Sequence, residues 1–297
     1  MKVPYFGRLL TAMVTPFTED GQVNHKAAAE LTEWWLAHGS DGLVVTGSTG
    51  EAATMTAEEK LALYRTVVKQ VNGRVPVIAG TGSNNTQASI DFTRAAEETG
   101  VDGCLVVGPY YNKPTQEGYY QHFGAIAAAT KLPVMLYNVP GRTAANVAPA
   151  TVARVARDFS NVVALKEAAG NVAQVAELFR ILPEDFSIYS GDDGLILPFM
   201  SVGAVGLVSV LSNVDGQILQ DVMQAYEDGR VKEAALLNKK MVPLAQAMFL
   251  ETNPIPVKAA VSLVTGIETG KPRLPLTPMT EAGLEKLKAV LKSYHLM

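Results

Sequence analysis

The stretch VVALKEAAGNVAQVAELFRIL (residues 162–182) holds one copy of the unit that decides the fold of this protein. Residues 162–165 are apolar and begin with two β-branched valines, which predicts a strand buried on both faces. After a short loop, apolar residues recur at intervals of three and four over residues 171–182, as in an amphipathic helix. A buried strand followed by a surface helix is the repeating unit of a parallel α/β sheet.

This unit occurs eight times along the 297 residues. The apolar runs that predict strands are LLTAMVTPF (9–17), GLVVTG (42–47), VPVIAGTG (75–82), GCLVVGPYY (103–111), PVMLYNVP (133–140), VVALKEA (162–168), FSIYSGDD (186–193) and VGLVSVLSN (205–213). Helical periodicity lies between them, for example over residues 25–39, 57–71 and 87–100, and Thr56 and Glu59 have the spacing of a capping box. Eight strand–helix units predict an α/β protein with a (β/α)8 TIM barrel.

An open doubly wound sheet is the alternative architecture. No predicted strand is followed by a dinucleotide-binding glycine fingerprint, and TGSTG (46–50) has the wrong spacing for that motif or for a phosphate-binding loop. Beyond the eighth unit, helical signals continue at about 231–249, 254–265 and 280–293, and prolines in ETNPIPVK (251–258) separate the first two. We therefore predict a catalytic barrel over residues 1–228 and a small helical C-terminal extension over residues 229–297.

The composition narrows the classes of partner. The net charge is −4 and no block of lysines and arginines occurs, so neither a nucleic acid nor an anionic membrane is an expected partner. No apolar run approaches the roughly 20 residues of a membrane span. The single cysteine, Cys104, has no partner for an internal disulfide and lies in a predicted strand. We expect a soluble cytoplasmic protein.

Polar residues cluster where the predicted strands end, and in a barrel of this type those ends form the active site. They read TGSTGE (46–51), GTG (80–82), PYYN (109–112), YN (137–138), GRT (141–143), KE (166–167) and GDD (191–193). Asp192 and Asp193 could suggest a metal site, but His25, His38, His122 and His295 all lie away from the strand ends. We expect neither a metal nor a cofactor.

Lys166 is the most informative of these residues because its charge is difficult to keep at the tip of a buried strand. A free lysine, with a pKa near ~10.4, is protonated at neutral pH and is not a nucleophile. Burial among apolar walls lowers such a pKa by as much as roughly 3–5 units. Lys166 is therefore a candidate for forming a Schiff base with a carbonyl substrate, while the alternative is a lysine that reaches into solvent from the strand end.

The whole chain resembles the dihydrodipicolinate synthase/N-acetylneuraminate lyase family of pyruvate-dependent aldolases. The motifs that carry the resemblance occur in the family's order and are GSTGE (47–51), PYYNKPTQEG (109–118), YNVPGRT (137–143), LKEA (165–168), SGDD (190–193) and NPIPVK (253–258). The resemblance implies a (β/α)8 barrel and a reaction through a lysine Schiff base with pyruvate.

The resemblance also implies roles for individual residues. Lys166 matches the lysine that condenses with pyruvate, and Tyr137 matches the tyrosine that relays protons above it. Thr49 matches the threonine that links two tyrosines in a hydrogen-bonded triad. Tyr111 matches the second of these tyrosines, which a neighbouring subunit donates, so that a dimer is the smallest complete unit. We expect a homotetramer built as a dimer of dimers.

Four further positions match the family's substrate-binding residues. Arg142 matches the arginine that receives the carboxylate of the incoming aldehyde, while Ser48, Gly191 and Val208 match the walls around pyruvate. The arginine in GRT favours the branch that condenses pyruvate with L-aspartate-4-semialdehyde in lysine and diaminopimelate biosynthesis. The lyase branch also has serine at the position of Ser48, so cleavage of N-acetylneuraminate or of a 2-keto-3-deoxy sugar acid is the alternative. A more distant alternative is a barrel that binds a ligand without catalysing a reaction.

Two further points are inhibition by lysine and the role of Glu167. Asn84 and Tyr110 match the cavity in which lysine inhibits some family members, but Lys60 and Ala88 replace a histidine and a glutamate there. A like charge and a missing carboxylate disfavour a ligand ammonium, so we expect weak or absent inhibition by lysine. Glu167 has no assigned role, and strand alternation directs it away from Lys166.

Overall fold

The computed structural model describes residues 4–297 and confirms the predicted barrel. Eight parallel strands pair in chain order, and β8 pairs with β1 to close the sheet. The strands are β1 (Leu9–Ala12), β2 (Gly42–Val45), β3 (Val77–Gly80), β4 (Gly103–Val107), β5 (Val134–Asn138), β6 (Val162–Glu167), β7 (Ser187–Ser190) and β8 (Gly206–Ser209). Each of the eight apolar runs contains one of them.

Helices surround the barrel and continue after it. They are α1 (His25–Ala37), α2 (Ala57–Val71), α3 (Thr86–Glu97), α4 (Gln116–Ala127), α5 (Pro140–Thr143), α6 (Pro149–Asp158), α7 (Val172–Ile181), α8 (Ile196–Met200), α9 (Gln217–Glu227), α10 (Val231–Ala247), α11 (Ile255–Thr265) and α12 (Glu281–Ser293). The predicted capping box opens α2, where the Glu59 amide donates to Thr56 Oγ1 at 3.2 Å and the Thr56 amide donates to Glu59 Oε2 at 2.9 Å.

The barrel has an inner core of its own, separate from the layer between strands and helices. Inward-facing side chains form one cluster, and two larger clusters fill the outer layer. In β6, Ala164 belongs to the inner cluster and Leu165 to an outer one. Because side chains alternate along a strand, Lys166 lies inside the barrel and Glu167 outside it.

The C-terminal extension packs on the barrel and shares its outer core. Val261 of α11 and Leu287 of α12 belong to the same buried cluster as Leu31 of α1. The predicted boundary at residue 228 lies between α9 and α10 and stays a prediction, and residues 1–3 of the predicted barrel unit lie outside the described residues. Within residues 4–297, no helix has both the length and the apolar character needed to cross a membrane.

A buried ion pair fixes the extension to the loop that follows β2. Lys258 Nζ on α11 lies 2.6 Å from Glu51 Oε1, and both side chains are almost fully buried. The other carboxylate oxygen of Glu51 accepts the Arg273 amide at 2.9 Å. Burial lowers the pKa of Lys258, and the Glu51 carboxylate opposes that effect. The Glu51 carboxylate is therefore the counter-charge of the buried Lys258 ammonium.

Replacement of Glu51 by alanine should destabilise the protein strongly, because it leaves the Lys258 ammonium buried without a counter-charge. We expect the free energy of unfolding to fall by about 3–5 kcal/mol, the usual cost of removing one partner of a buried pair. Glu177→Ala is the matched control, since it breaks an exposed pair with Arg180 at 2.7 Å. Denaturant titration measures both variants, and equal midpoints would contradict the expectation.

Candidate active site

Lys166 lies one residue before the carboxyl end of β6 and points into the barrel beside Tyr137. The two residues are paired across β5 and β6, and Lys166 Nζ lies 4.3 Å from the centre of the Tyr137 ring. Lys166 is only 7% exposed. Its amine is therefore held against an aromatic face by the register of two neighbouring strands.

The surroundings of Lys166 bring its pKa close to the physiological range. Burial is the main cause that lowers the pKa of the ammonium to about 8; the Asp193 carboxylate opposes this effect, and the Arg142 charge adds to it. A useful fraction of the amine is therefore unprotonated near neutral pH, as a Schiff-base lysine requires.

Asp193 is a buried carboxylate that sequence analysis considered only as part of a metal site. Ser209 Oγ and the amides of Val210 and Leu211 donate to it, the amides at 3.1 and 3.3 Å. Burial raises the pKa of Asp193 to about 6, although these hydrogen bonds lower it. Both oxygens thus already have protein donors. Among the described side chains, no three histidine, cysteine, aspartate or glutamate residues are grouped as a metal site.

Tyr137 is suited to holding and passing a proton. Burial raises the pKa of its phenol to about 12, while the Arg142 charge and a hydrogen bond with Ser48 act in the opposite direction. The phenol is therefore protonated at neutral pH and can donate to an oxygen that forms next to Lys166. Ser48, predicted as a substrate-binding residue, is within hydrogen-bond reach of this phenol.

The structure places the predicted substrate-binding residues Gly191 and Val208 directly after β7 and on β8. A Cβ on Gly191 would lie 3.1 Å from Lys166 Cε and 2.7 Å from Ala168 Cβ, closer than packed side chains approach. Glycine is thus the residue that lets the Lys166 chain pass β7. Val208 on β8 is buried in the same inner cluster as Tyr137.

Thr49 and Arg142 are joined through a residue that sequence analysis did not single out. Thr49 is buried, and its Oγ1 accepts a hydrogen bond from Asn253 Nδ2 at 3.1 Å. Arg142 Nη2 donates to the backbone carbonyl of Asn253 at 3.2 Å. The sole signal in the sequence was the NPIPVK motif (253–258), which belongs to the resemblance but carried no chemical argument for the asparagine.

A cavity of about 660 Å³ is lined by some of the predicted site residues and by residues of the predicted lysine-binding region. Ser48, Tyr137 and Arg142 line one part of it, and Lys60 and Ala88 line another. Lys60 Nζ lies 5.4 Å from the centre of the Phe92 ring, and burial lowers the pKa of Lys60. The cavity thus has cationic groups in both parts.

Tyr111 is not brought to the site by this single chain. Its side chain is 89% exposed, and its backbone adopts a positive φ of 71°. Across residues 4–297, no hydrogen bond links the Tyr111 hydroxyl to Thr49 or Tyr137. The neighbouring Tyr110 is also exposed, although it lines the cavity.

Glu167 lies on the outer side of β6, in agreement with strand alternation. Its carboxylate accepts two hydrogen bonds from Asn138 Nδ2 at 3.0 Å, one from Gln174 Nε2 at 3.0 Å and one from the Ala169 amide at 2.7 Å. Asn138 and Glu167 are paired in register directly after Tyr137 and Lys166. These hydrogen bonds join β5 to β6 behind the side chains of Tyr137 and Lys166.

Comparison with known proteins places these residues in a family context. Residues 5–294 match the model of the dihydrodipicolinate synthetase family. A 4-hydroxy-tetrahydrodipicolinate synthase of Bacillus subtilis (strain 168) is 53% identical over 276 residues, which cover 93% of this chain and 95% of the relative. A crystal structure of a dihydrodipicolinate synthase from Bacillus anthracis is 48% identical, with a TM-score of 0.95 over 98% of this chain and 99% of that one. The enzyme from Cyanidioschyzon merolae, solved with lysine bound, is 43% identical, with a TM-score of 0.97 over 99% of this chain and 100% of its own.

The lowered pKa of Lys166 predicts how its reaction with a 2-oxo acid depends on pH. Because only the free amine attacks a carbonyl, the rate should rise about tenfold per pH unit up to about pH 8 and then level off. Trapping of the imine with cyanoborohydride across a pH series measures this rate.

Variants of the adjacent residues Asp192 and Asp193 provide a test and a control for this pH series. Asp193→Asn removes a charge that raises the pKa of Lys166, so the levelling point should move to lower pH. Asp192→Asn changes the exposed neighbour and should leave the levelling point in place. A wild-type rate that still rises steeply above pH 10 would contradict the lowered pKa.

Proposed function

The chain belongs to the dihydrodipicolinate synthetase family, and we propose that it catalyses the 4-hydroxy-tetrahydrodipicolinate synthase reaction, the condensation of pyruvate with L-aspartate-4-semialdehyde. The observation that carries this proposal is the buried Lys166 amine against Tyr137, with Arg142 on the same cavity. The reaction serves the biosynthesis of lysine and diaminopimelate.

The first half of the reaction uses Lys166 and Tyr137. The free amine attacks C2 of pyruvate to form a carbinolamine, and the phenol of Tyr137 supplies the proton with which its hydroxyl leaves as water. The resulting protonated imine withdraws electrons from the methyl group, so that a proton passes from C3 to the phenolate of Tyr137 and an enamine forms. Tyr137 is protonated at neutral pH and therefore starts this sequence in the correct state.

The second half joins the two substrates and frees the enzyme. The enamine carbon attacks the aldehyde carbon, whose oxygen takes up a proton to become a hydroxyl, and the imine is restored. The amino group of the former aldehyde substrate then attacks the imine carbon and expels the Lys166 amine, which closes the ring. Arg142 at the cavity receives the carboxylate of the aldehyde, since a guanidinium can bind it through two hydrogen bonds.

We also propose that the active form is a homotetramer, a dimer of dimers in the cytoplasm, in which Tyr111 of one subunit completes the site of its neighbour. The exposure of Tyr111 supports this, because a tyrosine that is 89% exposed does not serve the site of its own chain. Sedimentation of the wild type and of Tyr111→Phe gives the assembly state, and activity at dilutions that separate subunits tests the dependence on a partner.

Side-by-side turnover of aldehydes and sugar acids tests the proposed reaction. We expect the protein to use pyruvate with L-aspartate-4-semialdehyde and not to cleave N-acetylneuraminate or 2-keto-3-deoxy sugar acids. Borohydride in the presence of pyruvate should add a three-carbon group at Lys166. Arg142→Ala should still be labelled at Lys166 but use the aldehyde poorly, and Arg142→Lys should recover part of the loss. An unlabelled Lys166 peptide, or preferred cleavage of a sugar acid, would refute the proposal.

Lysine should inhibit this protein weakly or not at all, because Lys60 places a like charge in the cavity and Ala88 supplies no carboxylate for a ligand ammonium. Activity in millimolar lysine measures the effect. Ala88→Glu supplies the missing carboxylate and should make the protein more sensitive, whereas Ala88→Gln, of similar size, should not. Complete and cooperative inhibition of the wild type would show the expectation to be wrong.

A further inference from the structure

Asn253 forms hydrogen bonds with two predicted site residues, Thr49 and Arg142. It lies between α10 and α11 and is only 7% exposed. Its side-chain Nδ2 donates to Thr49 Oγ1 at 3.1 Å, and its backbone carbonyl accepts from Arg142 Nη2 at 3.2 Å. Among the described residues, the side chain of Asn253 is hydrogen-bonded to Thr49 and its backbone carbonyl to Arg142.

A buried framework holds Asn253 at this distance from Thr49. Glu51 follows Thr49 by two residues, and Lys258 follows Asn253 by five. The 2.6 Å ion pair between Glu51 and Lys258 thus ties the two loops together near the hydrogen bond. The Lys258 amide also donates to the carbonyl of Pro254 at 3.0 Å, which places the pair within the first turn of α11.

The contact limits what the Thr49 hydroxyl can do. A hydroxyl has one proton to donate and two lone pairs that accept. Asn253 Nδ2 occupies one lone pair, so one donor and one acceptor remain for other partners. Because Asn253 donates rather than accepts, the Thr49 hydroxyl keeps both the proton and the acceptor that a relay between two tyrosines needs.

The other side-chain atom of Asn253 argues against a purely stabilising role. Among the described residues, the buried Oδ1 has no hydrogen-bond partner. An unpaired buried acceptor costs stability, and an apolar side chain of similar size would avoid that cost. The amide is therefore explained by the hydrogen bond that its Nδ2 gives to Thr49.

We propose that Asn253 is a positioning residue that orients the Thr49 hydroxyl and leaves its proton free for the relay. This inference rests on the proposed function, since it assigns to Thr49 a place in the proton relay. It gives the C-terminal extension a part in the chemistry that occurs at the mouth of the barrel. Asn253 acts through Thr49 and does not touch the reacting atoms.

Asn253→Asp is the decisive variant because it is isosteric and exchanges the Nδ2 donor for an acceptor. Thr49 would then donate to the new carboxylate, and its proton would be lost to the relay. We expect imine formation with pyruvate and kcat to fall roughly 10- to 100-fold, as for a proton transfer that is no longer oriented. KM for the aldehyde should change little, because the backbone contact with Arg142 remains. Asn253→Ala should give a smaller loss, since it leaves the hydroxyl free rather than diverted.

A double-mutant cycle with Thr49→Val separates positioning from general stability. If Asn253 acts through Thr49, Asn253→Asp should cause almost no further loss in the Thr49→Val background. An equal loss in both backgrounds, a wild-type rate in Asn253→Asp, or a loss confined to aldehyde KM would overturn the proposal. Thermal unfolding of every variant identifies those that fold, and Asn253→Ala serves in the cycle if Asn253→Asp does not.

Imine trapping and aldehyde turnover test the role of Asn253 and the proposed reaction separately. Trapping of the pyruvate imine at Lys166 precedes any choice of aldehyde and is measured for all variants. A wild type that forms the imine but rejects L-aspartate-4-semialdehyde would refute the proposed function while the cycle still tests Asn253. A wild type that forms no imine would refute both.

Discussion

The removal of the Lys166 amine from water is the constraint on which the site depends. An ammonium inside a closed barrel loses its hydration, so its pKa falls to about 8 and the free amine becomes available. Three neighbouring residues define the surroundings of the buried amine. Asp193 supplies an opposing charge, Tyr137 supplies an aromatic face, and Gly191 leaves the space through which the lysine chain passes.

Strand register converts this constraint into geometry. Tyr137 pairs with Lys166, and Asn138 pairs with Glu167 one position further along β5 and β6. Tyr137 and Lys166 face the interior of the barrel, and Asn138 and Glu167 form the hydrogen bonds that join the strands behind them. Two adjacent charged residues on β6 thus have different tasks because a strand directs them to opposite faces.

The C-terminal extension completes the site from outside the repeating units. Its buried Lys258 neutralises Glu51 in the loop after β2, and its Asn253 reaches Thr49 in the same loop and Arg142 in the loop after β5. The extension therefore connects the loop after β2 with the segment after β5.

The sequence by itself determined the eight strands, the helix periodicity, the capping box of α2 and the position of Lys166 at a strand end, because these depend on residues close together in the chain. Family motifs added roles for Thr49, Tyr137 and Arg142. Only the tertiary structure decided that Asn253 meets Thr49 across 204 positions, that Asp193 faces Lys166, and that Tyr111 lies exposed. Local periodicity encodes which face of an element is buried, whereas contacts between distant loops arise only when the barrel closes and the extension packs against it.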